Sequence, residues 1–139
     1  SLRGGKDSKA VEVAAREVAA AIREAQNYAL TGKITAAGEY PCEFSFISGN
    51  PDPSSYKITY KYYIVGNSCA SSSLTKETTY QLANGVIFSG SSQTITFGVP
   101  HGIGVTGTVT VTVIKGSINS NVCVYQSGRV EEVGSGACP

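Results

Sequence analysis

Four cysteines and a single histidine are the side chains of this chain best suited to chemistry, and their spacing decides which kind. Cys42, Cys69, Cys123 and Cys138 contain no C-x-x-C pair, and His101 stands alone in the segment Gly98-Val99-Pro100-His101-Gly102. Zinc needs closely spaced thiolate or imidazole pairs, so no metal or other cofactor is expected. An even number of scattered cysteines in Ser/Gly/Thr-rich surroundings favours disulfides formed in an oxidising compartment. Three pairings are open, and local closure favours Cys42–Cys69 with Cys123–Cys138. The second bond would close a loop of about 15 residues, worth about 3 kcal/mol in the chain-entropy model. The competing reading is four reduced, buried cysteines in a cytosolic protein.

Catalysis has little to stand on. A hydrolase triad or an acid–base pair needs titratable groups that converge on one point. His101 reads as a solvated loop residue, which leaves the serines without a base. Glu131 and Glu132 are adjacent on a strand and so face opposite ways, while Glu39 and Glu43 flank a turn at Tyr40-Pro41. The chain is therefore not expected to be an enzyme. Nucleic-acid contact is the sharper alternative, because Lys57, Lys61 and Tyr63 share one strand face and Arg129 sits in a later turn. Phosphate attraction with base stacking needs such cations beside aromatics. The plainer reading, a solvated outer strand face, is preferred. A net charge of +1 is also far from the basic balance of a dedicated nucleic-acid binder.

The elements that must position these residues are read from periodicity. Val11, Ala14, Val18, Ile22, Ala25 and Ala29 follow a 3-4-4-3-4 spacing, one apolar stripe of a helix predicted over Lys9–Leu30. Asp7 or Ser8 is the expected cap, and Gly32 the left-handed stop. Glu12 and Arg16 form an acid-before-base pair on the wet side. At 1.5 Å per residue this rod is about 33 Å long. Beyond Gly32 the helical period vanishes. Tyr56, Ile58, Tyr60, Tyr62 and Ile64 alternate against Lys57, Thr59, Lys61 and Tyr63, a half-buried strand after the breaker Gly49-Asn50-Pro51-Asp52-Pro53. Further strands are predicted at 42–48, 78–82, 86–88, 94–97, 108–114, 122–125 and 129–133, with a hairpin around Gln126-Ser127-Gly128. No second helix can supply parallel crossovers, so the strands are expected to form antiparallel sheet, in more than one sheet. The fold class is α+β: a spine helix at 8–31 packed on an antiparallel β region at 40–139, one domain with no linker and no internal repeat. No apolar run reaches the roughly 18–20 residues that cross a bilayer, and Ser1–Lys6 lacks the apolar core of a signal peptide.

The alanine-rich helix Ala14–Ala29 resembles the soluble half of a type IV pilin spine, and the strand region is similar to H-type pseudopilins and related minor pilins, the GspH/FimT group. The elements that carry this resemblance are Gly85-Val86-Ile87-Phe88, Ile95-Thr96-Phe97, Gly102, Thr108-Val109-Thr110-Val111 and Val122-Cys123-Val124-Tyr125-Gln126-Ser127-Gly128-Arg129-Val130. Together they span roughly residues 8 to 133. The resemblance implies a pilin-like fold and a structural role, as a subunit of a type IV pilus or of a type II secretion pseudopilus. It also implies a leader ending in glycine, N-terminal methylation after its removal, and an apolar segment upstream of Ser1. That segment would anchor the subunit in the inner membrane and later form the core of an extracytoplasmic filament. Partners are then other pilin or pseudopilin subunits. Val11, Ala14, Val18, Ile22, Ala25 and Ala29 are expected to divide their surface between the sheet and adjoining helices, since small residues allow close helix approach. A Cys123–Cys138 clamp on the C-terminal segment is a common pilin device. DNA-binding members carry a second arginine after the Gly-Arg pair. Glu131 follows Gly128-Arg129-Val130 here, which argues against DNA at that turn. An adhesive tip would use the loops Gly98–Gly107 and Ser68–Ser73.

Overall fold

The computed structural model describes residues 2–102 and 104–139, with the side chains of the helix described from Gly5 onward. One helix, α1 (Leu2–Thr31), precedes eight strands: β1 (Tyr40–Ser48), β2 (Ser55–Tyr63), β3 (Leu74–Gln81), β4 (Ile87–Phe88), β5 (Thr94–Gly98), β6 (Thr108–Lys115), β7 (Ile118–Tyr125) and β8 (Val130–Gly134). They form two four-stranded antiparallel sheets, ordered β3-β2-β1-β5 and β4-β6-β7-β8.

This arrangement corrects the pilin-like fold expected from the sequence, a spine laid along antiparallel sheet. The helix contacts β1 and β5 of the first sheet and β6, β7 and β8 of the second, so it is a shared wall of the core. The architecture is α+β, one helix against two separate sheets. The reason lies in the side chains. Val11, Ala14, Val18, Ile22, Ala25 and Ala29 are each no more than 4% exposed within the single chain. None of that stripe is left for adjoining helices, and the expected division of its surface is corrected accordingly. Ala15 and Ala19, equally buried, widen the stripe enough to serve two sheets.

The helix also starts earlier than its predicted Asp7 or Ser8 cap. Asp7 lies inside α1, and its Oδ1 pairs with Lys115 Nζ at 3.4 Å. At 30 residues the rod is about 45 Å long. Its end matches expectation in detail. Gly32 has φ 63°, its N–H donates to the Ala29 carbonyl at 3.3 Å, and the Lys33 N–H donates to that of Tyr28 at 3.0 Å. These two bonds make a Schellman stop, which needs the left-handed conformation glycine adopts freely.

Between the sheets the core is aromatic on one side and β-branched on the other. Phe44, Phe46, Ile95 and Phe97 of the first sheet meet Val111, Val113, Val122 and Val124 of the second, all 2% exposed or less. Phe46 and Phe88 bring one strand of each sheet together, edge to face at 6.3 Å between centroids. β3 begins earlier than predicted and β7 longer, because Lys115 pairs with Ile118 across a two-residue turn at Gly116-Ser117. Disulfides Cys42–Cys69 and Cys123–Cys138, each with Cα atoms 5.7 Å apart, tie the β2–β3 loop to β1 and the C-terminal segment to β7.

Candidate functional site

The side of α1 away from the core is open to solvent. Lys9, Val13, Arg16, Ala20, Arg23 and Asn27 are all exposed and recur at 4-3-4-3-4 spacing. A spacing that averages 3.5 residues keeps one straight seam available to a second helix. Val13 is 42% exposed and Leu30 51%, while Ala20, near the middle, places little more than backbone on the surface. Glu12 and Arg16 close a 2.7 Å ion pair along this face.

One flank of the seam is anchored and the other is undercut. On the anchored flank, Arg23 donates to the Val130 carbonyl at 2.6 Å and Gln26 to the Gly128 carbonyl at 2.8 Å. These bonds clamp the β7–β8 turn onto the helix. Gly128 has φ 95°, a backbone conformation that favours glycine, and a Cβ there would lie 2.6 Å from Gln26 Nε2 and displace the end of that side chain.

On the undercut flank, β2 and β3 extend past the helix and leave a cleft. One part, 200 Å³, is lined by Glu17, Ala20, Ala21, Glu24, Tyr56, Ile58 and Tyr80. It adjoins a second part of 280 Å³ that adds Tyr28, Phe44, Tyr60, Thr35 and Lys76. The Tyr56 hydroxyl donates to Glu17 Oε2 and that of Tyr28 to Glu24 Oε1, both at 2.7 Å. Burial first, and the Glu17 carboxylate second, push the Tyr56 phenol far above its ordinary range. Burial likewise raises Tyr60. That residue is 5% exposed, and its hydroxyl is buried beside Thr35, which works against the rise. Lys76 Nζ stands 2.6 Å from Glu39 Oε2. Their hydrogen bond raises the lysine and lowers the carboxyl. Neither Glu17 nor Glu24 is paired with a cation among the described residues. Sequence reasoning missed this cleft. Glu17, Ala21, Glu24 and Tyr28 do recur at helical spacing, but the strands opposite them come from a later, non-local pairing.

The residues considered for DNA contact are not assembled into one surface. Lys57, Lys61 and Tyr63 lie on β2 in the first sheet, and Arg129 in the β7–β8 turn of the second. Each neighbourhood also holds acid. Lys57 pairs with Glu77 at 3.1 Å, Arg129 with Glu131 at 3.3 Å, and Lys61 sits opposite Glu43 in the β1–β2 register. Arg129 covers the Tyr125 ring at 4.4 Å, and Tyr63 stacks on Tyr40 at 5.2 Å. His101 is exposed in a turn, and residue 103 of the Gly98–Gly107 loop lies outside the described residues. Comparison with known proteins returns no matching family model, no significantly similar curated protein and no significantly similar solved structure. No described helix is long and apolar enough to cross a membrane.

Proposed function

We propose that this chain is a structural subunit that polymerises through the outer face of α1, as a minor pilin or pseudopilin of a type IV pilus or type II secretion filament. The observation that carries this reading is the division of labour on α1. Its apolar stripe is consumed by the two sheets, yet a second seam with Ala20 near its midpoint runs the length of the helix uncovered. An exposed alanine flanked by Val13, Arg16 and Asn27 lets a neighbouring helix approach closely while polar side chains set its register. The helix motif and the strand progression that resemble minor pilins support the same reading, and so does a pair of disulfides suited to an extracytoplasmic site. On this proposal the partners are further subunits, and the inner membrane is reached through a segment upstream of Ser1.

Ala20→Glu in the full-length protein tests the reading. The position is exposed, so stability should change by no more than about 0.5 kcal/mol. Incorporation into filaments, followed by immunoblotting of the sheared fraction, should fall sharply. Wild-type incorporation of a folded Ala20→Glu protein would contradict the proposal.

A further inference from the structure

We infer that the groove between the first turns of α1 and the wall formed by Asn84 and Lys115 docks on an anionic phospholipid surface, with Lys6, Lys9 and Lys115 at the headgroups and Val13 at the acyl boundary. The inference stands apart from the assembly reading, since vesicles test it with no filament in the assay.

Two separate parts of the fold make the groove. Lys6, Lys9, Ala10 and Val13 of α1 face Asn84 and Lys115 across a cavity of 620 Å³. The far wall is held in place by its own contacts. Asn84 and Gly85 have φ of 60° and 76°, and the Val86 N–H closes their turn by donating to the Ala83 carbonyl at 3.3 Å. Lys115 ends β6, and its stem lies along that turn, because a Cβ on Gly85 would stand 3.6 Å from Lys115 Cε. Its Nζ reaches back to Asp7 Oδ1 at 3.4 Å, which ties the wall to the helix.

The groove is unbalanced in charge. It gathers three ammoniums, and Asp7 is the one carboxylate among the described residues within ion-pair distance of any of them. An excess of two positive charges therefore sits in one place on a chain whose whole net charge is +1. The rest of the lining is small or apolar apart from Asn84, and Val13 is 42% exposed.

That combination selects among anions. Single-stranded nucleic acid needs aromatic faces for its bases, and no aromatic side chain lines this groove among the described residues. An acidic peptide needs partners for its backbone, and Asn84 alone offers both a donor and an acceptor. An anionic lipid needs neither. Its phosphate attracts the ammoniums, each worth about five-fold in affinity near such a surface. The lysine stems and Val13 then lie at the boundary of headgroup and acyl chain. Lys9 and Val13 also belong to the exposed seam of α1, so a bilayer held here covers one end of that seam.

The test is flotation of the intact disulfide-bonded chain with vesicles of equal parts phosphatidylglycerol and phosphatidylcholine, against vesicles of phosphatidylcholine alone. The protein should float with the anionic vesicles, and rising sodium chloride should release it. Lys6→Gln with Lys9→Gln should weaken binding about twenty-fold, the product of two such contacts. Both lysines are exposed, so the unfolding temperature should not move. Lys33→Gln with Lys61→Gln removes the same charge from outside the groove and should leave binding unchanged. Val13→Ser alone should weaken it a few-fold and leave its salt dependence as it was. Retained binding in the Lys6 and Lys9 variant, or an equal loss in the Lys33 and Lys61 variant, would overturn the inference. So would no flotation, equal flotation with phosphatidylcholine alone, or tighter capture by a polyglutamate peptide than by the vesicles.

Discussion

β7 and β3 are both eight residues long, yet five of the residues of β7 are buried and none of those of β3. The difference is which side of the helix each strand falls on. β7 is a central strand beneath α1, and the Arg23 and Gln26 bonds to the β7–β8 turn hold the helix over that sheet. β3 is an edge strand of the other sheet, and every one of its residues is exposed. The second sheet and the inner strands of the first therefore carry the stability. The overhanging β2–β3 ribbon carries accessible aromatic and charged groups, with Lys76 and Glu77 on its edge to discourage pairing with other chains.

The sharpest way to break this contrast is to charge the sealed face. Ile22 is 0% exposed, and Ile22→Asp should lose several kcal/mol, enough to abolish cooperative unfolding followed by circular dichroism. A cooperative transition near the wild-type temperature would show that the helix is not part of the core. Replacing Cys123 and Cys138 together by alanine releases a bond that closes a separation of 15 residues. It should cost about 3 kcal/mol in urea unfolding. Gly128→Ala combines a φ of 95° with the approach to Gln26. It should cost about 1–3 kcal/mol and accelerate amide exchange in the β7–β8 turn.

Acid should act on the first sheet before the second. Hydrogen bonds from Ser54 and Ser55 hold the Asp52 carboxyl below its usual value, and that from Lys76 does the same for Glu39. A carboxyl depressed in the folded state contributes its stabilisation above the unfolded pKa. That contribution is lost as pH falls through the folded value, below about pH 4. Asp52→Ala should flatten the acid limb of a stability–pH profile; an unchanged limb would remove Asp52 from the account. The smallest effect is expected at Thr78→Ala on β3, within about 0.5 kcal/mol of wild type.

How far the chain could be read in advance follows the range of the interactions. The apolar stripe from Val11 to Ala29 and the Gly32 stop depend on neighbours within a few residues, and the alternation of Tyr56, Tyr60 and Tyr62 likewise needs no partner to be seen. The division of eight strands between two sheets is a matter of non-local pairing, such as β1 with β5, and no local period encodes it. β3 was underestimated because both of its faces are wet, so Leu74–Gln81 shows no apolar alternation. The early start of α1 escaped because Asp7 looks like a cap, whereas its carboxylate turns sideways to Lys115. The cleft needed the helix, β2 and β3 together, three segments that only the folded chain brings face to face.

The central claim is that α1 keeps its apolar stripe for its own sheets and offers the opposite seam to other subunits. Photo-cross-linking from a benzoylphenylalanine at position 20 of the full-length protein, in cells that assemble it, addresses this directly. The account predicts subunit–subunit adducts joined to a helix segment of the neighbouring chain. Efficient assembly with no adduct from position 20, and adducts instead from a sheet position such as Thr110, would contradict it.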